Sequence, residues 1–347
     1  MPKSSPPKPP MDNQLGWITY LPAPFIPYAE LTRIHIFFAI PLACWQTIIA
    51  ILYALAIAPQ TSSNSPPILR ASLALCLSSY LCHCFAVAWN DTADQDLDRK
   101  TPRCKNRPVA RGEISTLSAT TFALSLVYIA YLPLGHLGVP FSPITLYLSA
   151  GVIVLTAAYP FTKRLTDYPQ VFLAAGYACV FFAAARGIHD LYRFPDLHLG
   201  NENENELESS LLLSGIFSST YILPTTLLAT AIGTQMIFFD IIYALGDTTN
   251  DIHTGVGSMA VRYRHNIPGL LSVLTGIIVT CLVGAGWSTG FGRAYFGLVL
   301  GVGGALARKV SLVRGWQGLG EEERGVLCFS WHVPVAVGFF MGALGVA

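Results

Sequence analysis

Residues 89–100, WNDTADQDLDRK, set four aspartates and an asparagine directly after the apolar run LALCLSSYLCHCFAVAW. Continued as a helix at about 100° per residue, that run carries Asp91, Asp94 and Asp98 onto one stripe, with Asn90 beside Asp94. Asp96 points the other way, toward solvent or a neighbouring arginine. Like charges this close together cost stability unless a cation neutralises them.

A second acidic stretch, FFDIIYALGDTTNDIHTGVGSMAVRYR, repeats the device. Asp247 and Asp251 are four residues apart and share a face, with Tyr243 one turn before Asp247 and Asp240 two turns before it. Asp240 falls within an apolar segment, where an ionisable side chain is a functional candidate. Two carboxylate stripes at helix ends make oxygen-rich half-sites for a hard divalent cation. Magnesium takes carboxylates together with substrate phosphate oxygens and water, whereas zinc would want His and Cys ligands that are missing. Basic residues lie beside both: KNRPVARG supplies Lys105, Arg107 and Arg111, and YPFTKR supplies Lys163 and Arg164. Beside a metal site, such groups would clamp a diphosphate. No Gly-rich Walker loop points to a nucleotide, and no Ser/His/Asp or Cys/His constellation points to an enzyme nucleophile. The Cys82-His83-Cys84 triplet has no second ligand pair and sits mid-helix, so it reads as packing.

The elements that position these groups follow from composition. Hydrophobic residues are 52% of the 347 and charged residues only 12%, with mean hydropathy +0.50, which describes a membrane protein. Apolar stretches near twenty residues occur at 34–58, 69–89, 115–135, 141–159, 169–187, 221–245, 267–288, 294–308 and 327–346, an all-α bundle of about nine transmembrane helices. With this span count, 17 of the 21 lysines and arginines fall on one side, leaving Arg70, Arg186, Arg193 and Arg293 opposite. The positive-inside rule then makes the N-terminus and both acidic stretches cytoplasmic. Residues 1–30 read as a disordered cytoplasmic tail and 31–347 as a single transmembrane domain. Residues 188–210 read as a solvated acidic connector on the far side. Scattered cysteines imply no disulfide framework. The net charge of +1 says nothing about partners; membrane lipid is expected, nucleic acid and an obligate protein partner are not. The endoplasmic reticulum is the expected membrane, since the tail lacks the pattern of a signal or transit peptide.

NDTADQDLDRK and YALGDTTND resemble the two aspartate motifs of the UbiA superfamily of membrane-embedded prenyltransferases. RPVARG and YPFTKR resemble two of its later segments. The likeness is greatest to the fungal members of meroterpenoid pathways. It implies Mg2+ held by Asn90, Asp91, Asp94 and Asp98 on one side and by Asp247 and Asp251 on the other, with a prenyl diphosphate between. Arg107 and Lys163 are the first choices for holding that diphosphate. Arg33 stands near the family's acceptor-side arginine, and Asp240 and Tyr243 join the substrate-binding set. The implied reaction moves a prenyl chain, farnesyl in expectation, onto an aromatic or pyrone acceptor. A membrane terpene cyclase acting on farnesyl diphosphate is the alternative, and a transporter with acidic cation sites is a third reading, weakened by the lack of an inverted repeat. Many relatives have GVKS where this chain has GVGS, so Gly257 stands in place of a lysine and one phosphate contact would be missing.

Overall fold

The computed structural model describes residues 15–36, 39–57, 65–102, 104–136, 143–193 and 219–313. Among them only helices and turns occur. The long helices are α2 (Ala39–Ile57), α3 (Ser65–Ala93), α5 (Thr116–His136), α6 (Pro143–Thr162), α7 (Pro169–Arg193), α8 (Ser219–Ala244), α11 (Ile267–Thr289) and α12 (Arg293–Leu312). Short helices α1 (Ile26–Leu31), α4 (Gln95–Asp98), α9 (Thr248–Thr254) and α10 (Met259–Arg262) lie between them. Eight of the expected spans therefore coincide with described helices, and seven of these helices are long and apolar enough to cross a membrane. The ninth, 327–346, lies outside the described residues, as do residues 1–14 and most of the far-side acidic connector.

Two expectations differ: residues 188–193, assigned to the solvated connector, complete α7 with Ile188, Asp190 and Leu191 buried. Residues 15–30, assigned to a disordered tail, form two 3-10 turns (Gly16–Tyr20 and Ala23–Phe25) and, with Leu31, α1. The cause is burial: Ile18 and Leu31 are fully enclosed, and prolines early in the second turn and in α1 preset the backbone for helix entry.

The helices pack as lipid-embedded helices do. Leu69, Leu73 and Leu77, at helical spacing on α3, are exposed and face outward. Its other side meets α5 through small residues, Ala119, Ala123 and Ala130 of α5 being buried, so the two backbones approach closely. The most enclosed helix is α8, with 67% of its apolar window buried against 17% for α6; α7 and α11 pack on it. The end of α3, the turn between α6 and α7, and the α8–α11 segment all meet at one end of the bundle, where the acidic stretches lie.

Candidate active site

The helix α3 runs to Ala93 and re-forms as α4 after a break at Asp94. The i to i−4 bonding survives the break, with Asp94 N–H donating to Asn90 at 2.8 Å and Asp98 N–H to Asp94 at 2.8 Å. Helical phase is therefore kept across it, and Asp91, Asp94 and Asp98 are all buried. Asp96 faces outward and pairs with Arg164 at 2.6 Å, which holds its carboxyl below the usual range.

Cations sit against the buried stripe. Lys163 donates to Asn90 Oδ1 at 2.9 Å and to Asp94 Oδ2 at 2.7 Å. Arg107 donates to Asp91 Oδ1 at 2.9 Å and to Asp98 Oδ2 at 3.0 Å. Arg33 takes the other Asp91 oxygen at 2.6 Å. Its backbone has φ 61°, a left-handed conformation unusual for a non-glycine residue. Burial pushes the Asp98 carboxyl up to about 6; Arg107 opposes the rise, and Asp91 and Asp94 add to it. Burial works against the Arg107 charge, yet Asp91 and Asp98 more than offset it and raise its pKa.

The opposite wall comes from the second acidic stretch. Asn250 donates to Thr101 at 3.1 Å, tying α9 to the segment after α4. Gly255 ends α9 at φ 74°, donating to the Asp251 carbonyl, and Gly257 N–H donates to the Lys163 carbonyl at 2.8 Å. Asp94, Asp98, Asp247 and Asp251 thereby line one cavity of about 170 Å³, together with Arg107, Lys163 and Tyr243. Asn90, Arg107, Tyr159, Lys163 and Asp240 also border a second cavity of about 300 Å³, which Arg33 and Asp91 line and which is largely apolar.

Three of the expected cations are not brought to the acidic cavity. Lys105 is exposed, Arg164 is spent on Asp96, and Arg111 ties Glu30 (2.7 Å) and Glu113 together, fastening α1 to the loop after α4. Asp91, assigned with Asp94 and Asp98, is held on both oxygens by arginines and borders the wider cavity instead. Gly257 stands where a lysine would have supplied a phosphate contact. A side chain there would run into the Thr166 and Lys163 backbone carbonyls, so its neighbour is the α6–α7 turn.

Reading the residues alone missed Tyr159, Gln170 and His83. Gln170 donates to Asp240 at 2.9 Å and accepts from Met259 N–H at 3.1 Å, while Tyr159 donates to Asp240. Their signal was polarity within or beside an apolar run: the Tyr of YPFTKR and the Gln of YPQ. His83, read as packing, lines the wider cavity.

The donor set suits a hard cation that is only partly ligated by protein. Among the described residues Asp94 Oδ1 is buried with no partner, while its other oxygen is held by Lys163, leaving one oxygen for an ion. Among the described residues no three acidic, His or Cys side chains gather closely enough to ligate an ion alone. Such an ion must complete its shell with ligand oxygens and water, which is the habit of magnesium and not of zinc.

The family model described as the UbiA prenyltransferase family matches residues 43–324. Prenyltransferase ascA of Acremonium egyptiacum is 33% identical over 90% of this chain and 82% of its own. The DMOA farnesyltransferase nvfB of Aspergillus novofumigatus is 28% identical over 83% of this chain and 80% of its own. Among solved structures, a UbiA homolog from Archaeoglobus fulgidus bound to GPP and Mg2+ superposes with a TM-score of 0.58 at 14% identity, covering 92% of this chain and 99% of that one.

Proposed function

From the premise that this chain belongs to the UbiA prenyltransferase family and is an integral-membrane prenyltransferase, we propose that it transfers a farnesyl group from its diphosphate to an aromatic or pyrone acceptor. The observation that carries this reading is one arrangement. Carboxylates from two distant segments face each other across a cavity that also holds Arg107 and Lys163, and this cavity adjoins an apolar one inside the helix bundle. The relative named as a DMOA farnesyltransferase supports the chain length and the acceptor class.

The diphosphate lies in the acidic cavity, with Asp94 and Asp98 on one side and Asp247 and Asp251 on the other. Magnesium held there would neutralise the departing diphosphate and lower the barrier to breaking the allylic C–O bond. Arg107 and Lys163 stabilise the same negative charge from fixed positions, since Asp91, Asp98, Asn90 and Asp94 already orient them. The allylic cation then forms beside the ring of Tyr159, which Lys163 overlies at 4.9 Å. The apolar wall of the second cavity keeps water from it until the acceptor ring attacks, and the proton the ring then loses passes to the released diphosphate. No side chain is needed as a nucleophile. The reaction takes place at the cytoplasmic end of the bundle, in the endoplasmic reticulum membrane.

Incubating purified protein with C10, C15 and C20 diphosphates and a panel of phenolic and pyrone acids tests the reading. The expected product is a farnesylated acceptor. Farnesyl diphosphate consumed equally fast without acceptor, into a cyclised hydrocarbon, would replace transfer with cyclisation.

A further inference from the structure

The wider cavity is apolar over most of its wall, through residues such as Val152, Leu155 and Phe172, but it is polar at two levels. Arg33 and Asp91 line it level with the end of α3, and Gln46, Ser79 and His83 line it farther from that end. Two of these three are already engaged: Ser79 donates to the Ala43 carbonyl at 2.7 Å, and Gln46 donates to the same carbonyl at 2.8 Å. His83 differs from them. Among the described residues its ring has no hydrogen bond and no stacking partner. It precedes Asn90 by seven residues on α3, which places it on nearly the same face, about 10 Å farther from that helix end.

A half-buried imidazole that opens into a mostly apolar cavity sets a polar group before whatever ligand enters it, and a ligand oxygen that matches the ring binds better than a hydrocarbon in its place. A prenyl tail cannot make that match. An oxygen-bearing ring can, because neutral imidazole offers one donor and one acceptor. We propose that His83 is a specificity-determining residue for the acceptor: it hydrogen-bonds a ring hydroxyl or ring carbonyl while the acceptor's acidic group faces Arg33. The wider cavity thereby selects flat acids with oxygens at two separated positions. This inference rests on the transferase reading above and adds the residue that reads the acceptor.

The test uses purified protein, farnesyl diphosphate, a methylated resorcylic acid, and its two analogues in which one ring hydroxyl is replaced by hydrogen. His83→Phe should raise KM for the parent acid about tenfold, equivalent to about 1.4 kcal/mol. KM for farnesyl diphosphate should stay within about twofold, on the scale where every 1.4 kcal/mol is tenfold. For one of the two analogues the variant and the wild type should not differ, which assigns the lost contact to that hydroxyl. His83→Gln, which keeps a donor and an acceptor, should restore part of the affinity, and it reads the same coupling if the phenylalanine variant does not insert. Equal KM increases for all three acids would make His83 a packing residue. An increase confined to the prenyl diphosphate would place the tail there, and unchanged constants would remove His83 from the site; each result overturns the proposal. Wild-type protein that farnesylates none of the acids overturns the transferase reading itself, a separate result.

Discussion

The backbone N–H of Gly257 donates to the carbonyl of Lys163 at 2.8 Å, joining the second acidic stretch to the residue whose ammonium holds Asp94 at 2.7 Å. One glycine thus closes the ring of segments around the acidic cavity. A Cβ at 257 would press on the Thr166 carbonyl and lie 3.3 Å from the Lys163 oxygen, and both are backbone that cannot rotate away.

Gly257→Ala should therefore destabilise the protein by about 1–3 kcal/mol, the usual cost of overpacking. Gly257→Lys should weaken turnover, not strengthen diphosphate binding as the motif comparison would suggest. Thermal unfolding in detergent, with KM for the prenyl diphosphate, checks both. A lysine variant with unchanged stability and a lower KM would refute the steric argument.

Asp94 and Asp96 differ by two residues and should differ in consequence. Asp94→Asn removes a buried partner of Lys163 and a cavity-lining carboxylate, and should lower kcat by about a hundredfold or more, as losses of fixed transition-state electrostatics do. Asp96→Ala loses only an exposed pair with Arg164 and should change stability by no more than about 1 kcal/mol, with activity near wild type. Steady-state rates of the two variants, normalised to inserted protein, decide it.

Asp98 makes stability depend on pH in a defined direction. Its pKa rises from 3.8 to about 6 on folding, so the fold favours the protonated acid. That contribution is fully present below 3.8 and is lost as pH rises through about 6. Without divalent cations, the unfolding temperature of wild type relative to Asp98→Asn should fall over this window. Magnesium should reverse the trend, because it competes with the same proton.

Chelation of divalent cations should abolish transfer, and magnesium should restore it. Product formation before and after chelator measures this, and full activity in the metal-free protein would exclude the carboxylate half-sites from the chemistry.

Orientation is open to direct labelling. Thr101 and Asn266 lie at the end of the bundle that carries the acidic stretches. Cysteines substituted there in a cysteine-depleted background should react with an impermeant reagent in sealed, cytoplasm-side-out microsomes. Protection of both would reverse the membrane orientation.

Local rules were enough for much of this protein. Apolar runs of membrane-spanning length marked eight of the described helices to within several residues, and helical periodicity put Asp94 and Asp98 inward and Asp96 outward. These are properties of one segment, set by backbone geometry and by the cost of exposing polar groups to lipid. Tertiary structure decided what each inward face meets. Asp91 is captured by Arg33 and Arg107, Arg111 is claimed by Glu30, and Asp240 is gripped by Gln170 and Tyr159. Most of these partners lie some 60 to 80 residues apart in the chain, a separation over which a 3.6-residue period carries no information. The same holds for Gly257 and His83, whose surroundings come from distant segments: one meets the α6–α7 turn and has no room for a side chain, and the other faces a cavity that only the packed bundle encloses.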